Sequence, residues 1–143
     1  MTLSIKYFLV FSVPLLILSC AYNDDTRSAC SDAICTDEFR HINILIKHTD
    51  GDPVSLNSFK VTELENNRDL TLSLTDEGWA AVIRTGSYPI FNDGYVREYQ
   101  NKEFKIEFSG FIDNQKVVDQ IYIVGANCCH VYLQEGPTQL IID

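Results

Sequence analysis

Four of the five cysteines and one of the three histidines stand in two groups that could form covalent bridges or hold a metal. Cys30 and Cys35 lie toward one end, and Cys128, Cys129 and His130 lie together toward the other. Adjacent residues of a strand point to opposite faces. Cys129 therefore shares a face with Val131 and Leu133 and is expected inward. Cys128 shares its face with His130 and Tyr132 and is expected outward. A bond between Cys128 and Cys129 needs a strained ring, so each is better suited to reach back to Cys30 or Cys35. A loop of roughly 100 residues closed in this way contributes about 4–5 kcal/mol in the chain-entropy account. Which cysteine pairs with which stays open. The alternative is a zinc or copper(I) site on Cys128, Cys129 and His130, joined by Cys30 and Cys35. Side chains facing apart suit two bridges better than one tetrahedron. A redox-active pair is the third reading.

Catalytic chemistry has little support. The histidines are His41, His48 and His130, and no serine sits in a Gly-x-Ser-x-Gly context. The expectation is no catalytic residue, no enzymatic activity and no cofactor. Asp50, Asp52, Asp76 and Asp93 fall at turns, without the ligand spacing of a calcium loop. Trp79 and the aromatics of residues 88–99, Tyr88, Phe91, Tyr95 and Tyr99, have two readings. On irregular loops they suit a protein or glycan partner; alternatively they cap the core. The second is favoured.

The elements that must position these residues begin after an apolar leader. Tyr7 to Leu18 is interrupted only by Ser12 and Pro14, is preceded by Lys6, and is short for a membrane span. It closes on Ile17-Leu18-Ser19-Cys20, which resembles the lipobox of bacterial lipoproteins. That resemblance implies a signal peptide over 1–19, a mature chain beginning at Cys20, and acyl groups such as palmitate on Cys20, so that the partner is a membrane. Asp24 and Asp25 soon after are similar to acidic export signals of Gram-negative lipoproteins that reach the outer face of the outer membrane. Residues 20–37 are polar and read as a tether, followed by a domain over 38–143. An exported chain with an even set of remaining cysteines favours disulfides.

The chain has 143 residues and a formal charge of −9. The leader carries Lys6 and no acid, so the mature chain stands one unit more negative. Nucleic acid is excluded as a partner, because phosphate binding needs a basic face.

Within the domain, Ile42, Ile44 and Ile46 alternate with Asn43, Leu45 and Lys47, which predicts a strand with one buried face. Asp50-Gly51-Asp52-Pro53 stops it. Further strands are expected over Ser58–Leu64, Leu70–Thr75 and Trp79–Arg84. Asn66–Asp69 and Asp76-Glu77-Gly78 are the turns between them. Thr85–Asn101 reads as loops with one short strand. Phe104–Ser109 and Val117–Val124 form the clearest hairpin, then Val131–Leu133 and Gln139–Ile142 follow. No window of 12 or more residues in the mature chain shows a helical period. About seven short strands predict an all-β, antiparallel β-sandwich.

Asp50-Gly51-Asp52-Pro53-Val54 and Leu74-Thr75-Asp76-Glu77-Gly78 together resemble the paired turns of carboxypeptidase-regulatory-like and transthyretin-like domains. The resemblance covers roughly residues 40–85 and implies a sandwich in which the second turn opens a hairpin. It is nearly silent on activity. Transthyretin-like hydrolases carry a basic, serine-containing C-terminal tetrapeptide, whereas this chain ends Leu140-Ile141-Ile142-Asp143, so their activity does not carry over. The whole chain more closely resembles small envelope lipoproteins with an adjacent Cys-Cys pair. The expected function is a lipid-anchored, non-catalytic binding or assembly module. The alternative is a metal-binding or redox lipoprotein using Cys128, Cys129 and His130.

Overall fold

The computed structural model describes residues 30–143. The leader, the lipobox and Cys20 lie outside the described residues.

The alternating segments become two sheets packed face to face. The strands are β1 (His41–His48), β2 (Ser58–Glu63), β3 (Arg68–Asp69), β4 (Ser87–Asn92), β5 (Lys102–Ile112), β6 (Gln115–Ala126), β7 (Val131–Glu135) and β8 (Gln139–Ile142). One sheet has the order β4-β1-β8 and the other β3-β2-β5-β6-β7. The fold is the expected all-β sandwich, with eight strands among the described residues where about seven were expected. All pairings are antiparallel except β1 with β8, which run parallel. The closing segment thus returns beside the first strand rather than extending the last hairpin.

Ile44 and Ile46 of β1, Val61 of β2, Ile106 and Phe108 of β5, and Tyr122 and Val124 of β6 are fully or almost fully buried between the sheets. The period-two pattern is the cause, since one face of each strand is apolar. The β5–β6 hairpin turns on Asp113 and Asn114 alone, both with positive φ (48° and 63°). Asx side chains tolerate that region, which two-residue hairpin turns require.

Two expected strands are not there. Trp79–Arg84 belongs to a ten-residue helix, α1 (Asp76–Thr85). Its local signals are complete. Thr75 Oγ1 accepts the Gly78 N–H at 3.1 Å, Asp76 and Glu77 occupy the first turn, Arg84 the last, and Gly86 caps the end at φ 69°. What read as a turn, Asp76-Glu77-Gly78, is the first turn of this helix. The β-branched and aromatic content of Trp79-Ala80-Ala81-Val82-Ile83 masked a helix bounded by good caps. The second of the paired turns therefore opens a helix, not a hairpin. The first does close β1: His48 N–H donates to Asp52 O at 2.8 Å and Asp52 N–H to Asp50 Oδ1 at 3.0 Å.

Leu70–Thr75 is extended but pairs only at its start. Leu70 N–H donates to Val61 O, yet the Val61 N–H goes to the Thr71 hydroxyl at 2.9 Å. A side chain takes the ladder's next bond, and the backbone peels away. Between β4 and β5 the chain makes a single 3₁₀ turn (Asp93–Tyr95) and a short helix, α2 (Val96–Tyr99).

Candidate functional site

The cysteines meet at one end of the sandwich. Cys30 is bonded to Cys128 and Cys35 to Cys129, each with Cα atoms 5.3 Å apart. Both bridges run back to the N-terminal pair. The placement of the vicinal cysteines differs from the strand-based expectation. Cys128 and Cys129 are in the turn between β6 and β7 and are both half-buried. Asn127 builds that turn: its Oδ1 accepts the N–H groups of Cys129 and His130, both at 2.8 Å. His130, expected on an outward face, is 7% exposed.

Burial of His130 follows from Asp93. His130 Nδ1 lies 2.7 Å from Asp93 Oδ2, and Nε2 lies 3.0 Å from the Thr36 hydroxyl. Asp93 Oδ2 also accepts the Arg40 N–H at 2.8 Å, and Oδ1 accepts the Val131 N–H at 2.8 Å. Arg40 immediately precedes β1, the middle strand of the smaller sheet, and Val131 begins β7, an edge strand of the larger, so one carboxylate ties the two sheets together across the open end of the sandwich. Burial pushes the Asp93 carboxyl toward the neutral form. The hydrogen bonds from Arg40, His130 and Val131 outweigh it and hold the group below the usual carboxylate range. Nothing in sequence spacing joins residues 36, 93 and 130. Asp93 read as a turn residue and Thr36 as tether.

Asp93, His130 and Thr36 stand in the order of a hydrolytic triad, acid to Nδ1 and hydroxyl to Nε2. The hydroxyl is a secondary alcohol on a segment held by Cys35, and none of the clefts described below is lined by any of the three. The arrangement acts as a clamp on the N-terminal segment. The sulfurs that would ligate a metal are spent in disulfides. Among the described residues no group of three or more His, Cys, Asp or Glu is arranged to hold an ion.

The aromatics of residues 88–99 turn inward. Tyr88 and Phe91 are fully buried and Tyr99 nearly so, while Tyr95 stacks on Phe91 at 5.0 Å and Phe104 on Tyr99 at 4.1 Å. The Tyr88 hydroxyl donates to Val54 O at 2.7 Å and accepts the Leu56 N–H at 2.8 Å. These rings are core, as the favoured reading had it.

Trp79 is separate from them. It stacks on Phe59 beside a cleft of about 300 Å³ lined by Asn57, Ser58, Leu72, Leu74 and Asp76 among others. A second cleft, about 400 Å³, is rich in glutamates. Three of them are already engaged. Glu63 accepts the Tyr99 hydroxyl at 2.7 Å, Glu98 pairs with Arg68, and Glu103 accepts the Tyr132 hydroxyl at 3.0 Å. Burial and the bond to Glu63 together raise the Tyr99 phenol well above its ordinary range. A third depression lies along β6 and the Gly136-Pro137 bend.

No protein-family model, curated protein or solved structure matches this chain.

Proposed function

We propose that the protein is a bacterial envelope lipoprotein, held through lipid on Cys20, whose sandwich serves as a non-catalytic binding or assembly module. The observation that carries this reading is where the N-terminal segment joins the domain. Residues 30–37 lie along the surface, and two disulfides fasten them to the β6–β7 turn, 98 and 94 residues away. A chain tethered at Cys20 transmits any pull through residues 21–29 to Cys30. The load there passes covalently into the β6–β7 hairpin of the larger sheet, instead of falling on β1, the middle strand of the smaller one. Such a junction suits a domain that works while attached. The Asp93 node supports the same reading, since it spends its titratable groups on joining the two sheets.

The test is metabolic labelling with an alkyne fatty acid in the native host, followed by membrane fractionation. The wild-type chain takes up label and sediments with the envelope, while Cys20→Ala is unlabelled and leaves the mature membrane-bound pool. Equal labelling of both chains, or none in the wild type, contradicts the reading.

A further inference from the structure

We infer that the cleft between β2, the extended segment 70–75 and α1 binds a neutral glycan, with Phe59 and Trp79 as its aromatic platform. The inference rests on the binding-module reading and names the ligand class.

The platform is rigid. Phe59 and Trp79 stack with centroids 5.7 Å apart and planes 17° from parallel. Phe59 is in turn stacked on Phe108 at 5.6 Å and meets the edge of Tyr88 at 5.7 Å. Both supporting rings are fully buried, so the half-buried pair is anchored from below. Leu72 and Leu74 add an apolar wall, and Asn57, Ser58, Thr71, Thr75 and Asp76 form a polar rim.

The rim decides the ligand. Asn57 Oδ1 is taken by the Asp113 N–H at 2.7 Å, which fixes the amide with its NH₂ free to donate. Thr71 and Thr75 already accept backbone N–H groups. Among the described residues, the Asp76 carboxylate and the Trp79 indole N–H have no hydrogen-bond partner. A sugar ring presents C–H groups on its face and hydroxyls at its edge, which matches an aromatic floor with one carboxylate and separate donors around it. No lysine or arginine lines the cleft, so an acidic sugar or a phosphate would meet Asp76 without a compensating cation. A volume of about 300 Å³ suits one or two rings of a longer chain.

Trp79 is the chain's single tryptophan, so intrinsic fluorescence reads this cleft directly. The mature, disulfide-bonded protein in detergent is titrated with maltoheptaose, cellohexaose, xylohexaose, chitohexaose and mannan, with polygalacturonate and heparin as acidic controls. A saturable change is expected with at least one neutral glycan and none with the acidic ones. By calorimetry, Trp79→Ala lowers the affinity by about tenfold or more, as truncating a central aromatic anchor does. Asp76→Asn, which keeps shape and far-UV spectrum, weakens binding in the same direction. A flat response across the neutral panel overturns the inference. So does binding left unchanged by both substitutions, or preferential binding of the acidic polymers. If Cys20 is lipidated and the titration is flat, the anchored-module reading stands and only the glycan assignment falls.

Discussion

The two disulfides are not independent, and their coupling can be worked out from the connectivity. With neither bridge present, closing Cys30–Cys128 joins residues 98 apart. In the chain-entropy account a loop of that size contributes about 4.7 kcal/mol. Once it is closed, Cys35–Cys129 no longer closes a long loop. It completes a ring made only of residues 30–35 and 128–129, eight residues, for which the same relation gives about 2.5 kcal/mol. The same values hold with the order of closure reversed, because the second pair is separated by 94 residues. Removing either bridge alone (Cys30→Ala with Cys128→Ala, or Cys35→Ala with Cys129→Ala) therefore costs about 2.5 kcal/mol, and removing all four cysteines costs about 7 kcal/mol. The quadruple variant should lose about three times what each pair loses. Urea unfolding of the four proteins, followed by far-UV circular dichroism, gives the free energies by linear extrapolation. Domains of this kind hold roughly 5–15 kcal/mol in all, so a loss of about 7 kcal/mol is a large share of the total and should move the quadruple variant's urea midpoint far below that of either pair variant. A quadruple loss equal to the sum of the two pair losses would refute the reasoning, as would pair losses near 4.7 kcal/mol each.

Other consequences follow from single side chains. Asp93 has a native pKa below its unfolded value, so its stabilisation is whole above about pH 4 and is lost as pH falls through the native pKa. Asp93→Asn should destabilise by about 2–4 kcal/mol at pH 7 and flatten the acid limb of a urea-midpoint profile; an unchanged acid limb counts against the node. Tyr88→Phe should cost about 2–3 kcal/mol, because it strips partners from the buried Val54 carbonyl and Leu56 N–H. Tyr122→Phe should be neutral or stabilising, since its buried hydroxyl has no partner among the described residues and burial raises its pKa to about 12; equal losses for the two tyrosines would break the contrast. Gly86 sits at φ 69°, and a Cβ there would lie 2.5 Å from the Ile46 carbonyl oxygen. Gly86→Ala should thus lower the melting temperature markedly, whereas Gly51→Ala, with positive φ but open space around it, should cost only the local strain of about 1 kcal/mol.

Where the chain's own pattern carried the information, the sequence was readable. The alternations at Ile42–Ile46 and Phe104–Ser109 became β1 and β5, because period-two burial is a local property that packing only has to accept. The bridges between the N-terminal cysteines and Cys128-Cys129 were likewise expected in kind. Their pairing was not, since it depends on how a turn presents two neighbouring side chains. Helix α1 was missed because Trp79, Val82 and Ile83 favour strands by type, while the deciding signals are the Thr75 cap and Gly86, eleven residues apart. The Asp93 node was illegible for a different reason. Its members come from the tether, the β4 exit and the β6–β7 turn, and only the packing of the two sheets brings them within hydrogen-bond distance. The Phe59–Trp79 cleft was half legible: Trp79 stood out by type, but its partner Phe59 comes from the neighbouring β2, not from the aromatics of residues 88–99.

We propose a lipid-anchored domain stapled by two disulfides. It is tested most directly by the intact mass of protein extracted from its native membrane, measured with thiol alkylation before and after reduction. The expected mass is that of residues 20–143 plus acyl groups, with no alkylation before reduction and four alkylated thiols after it. An unacylated mass, or thiols that alkylate without reduction, would contradict it.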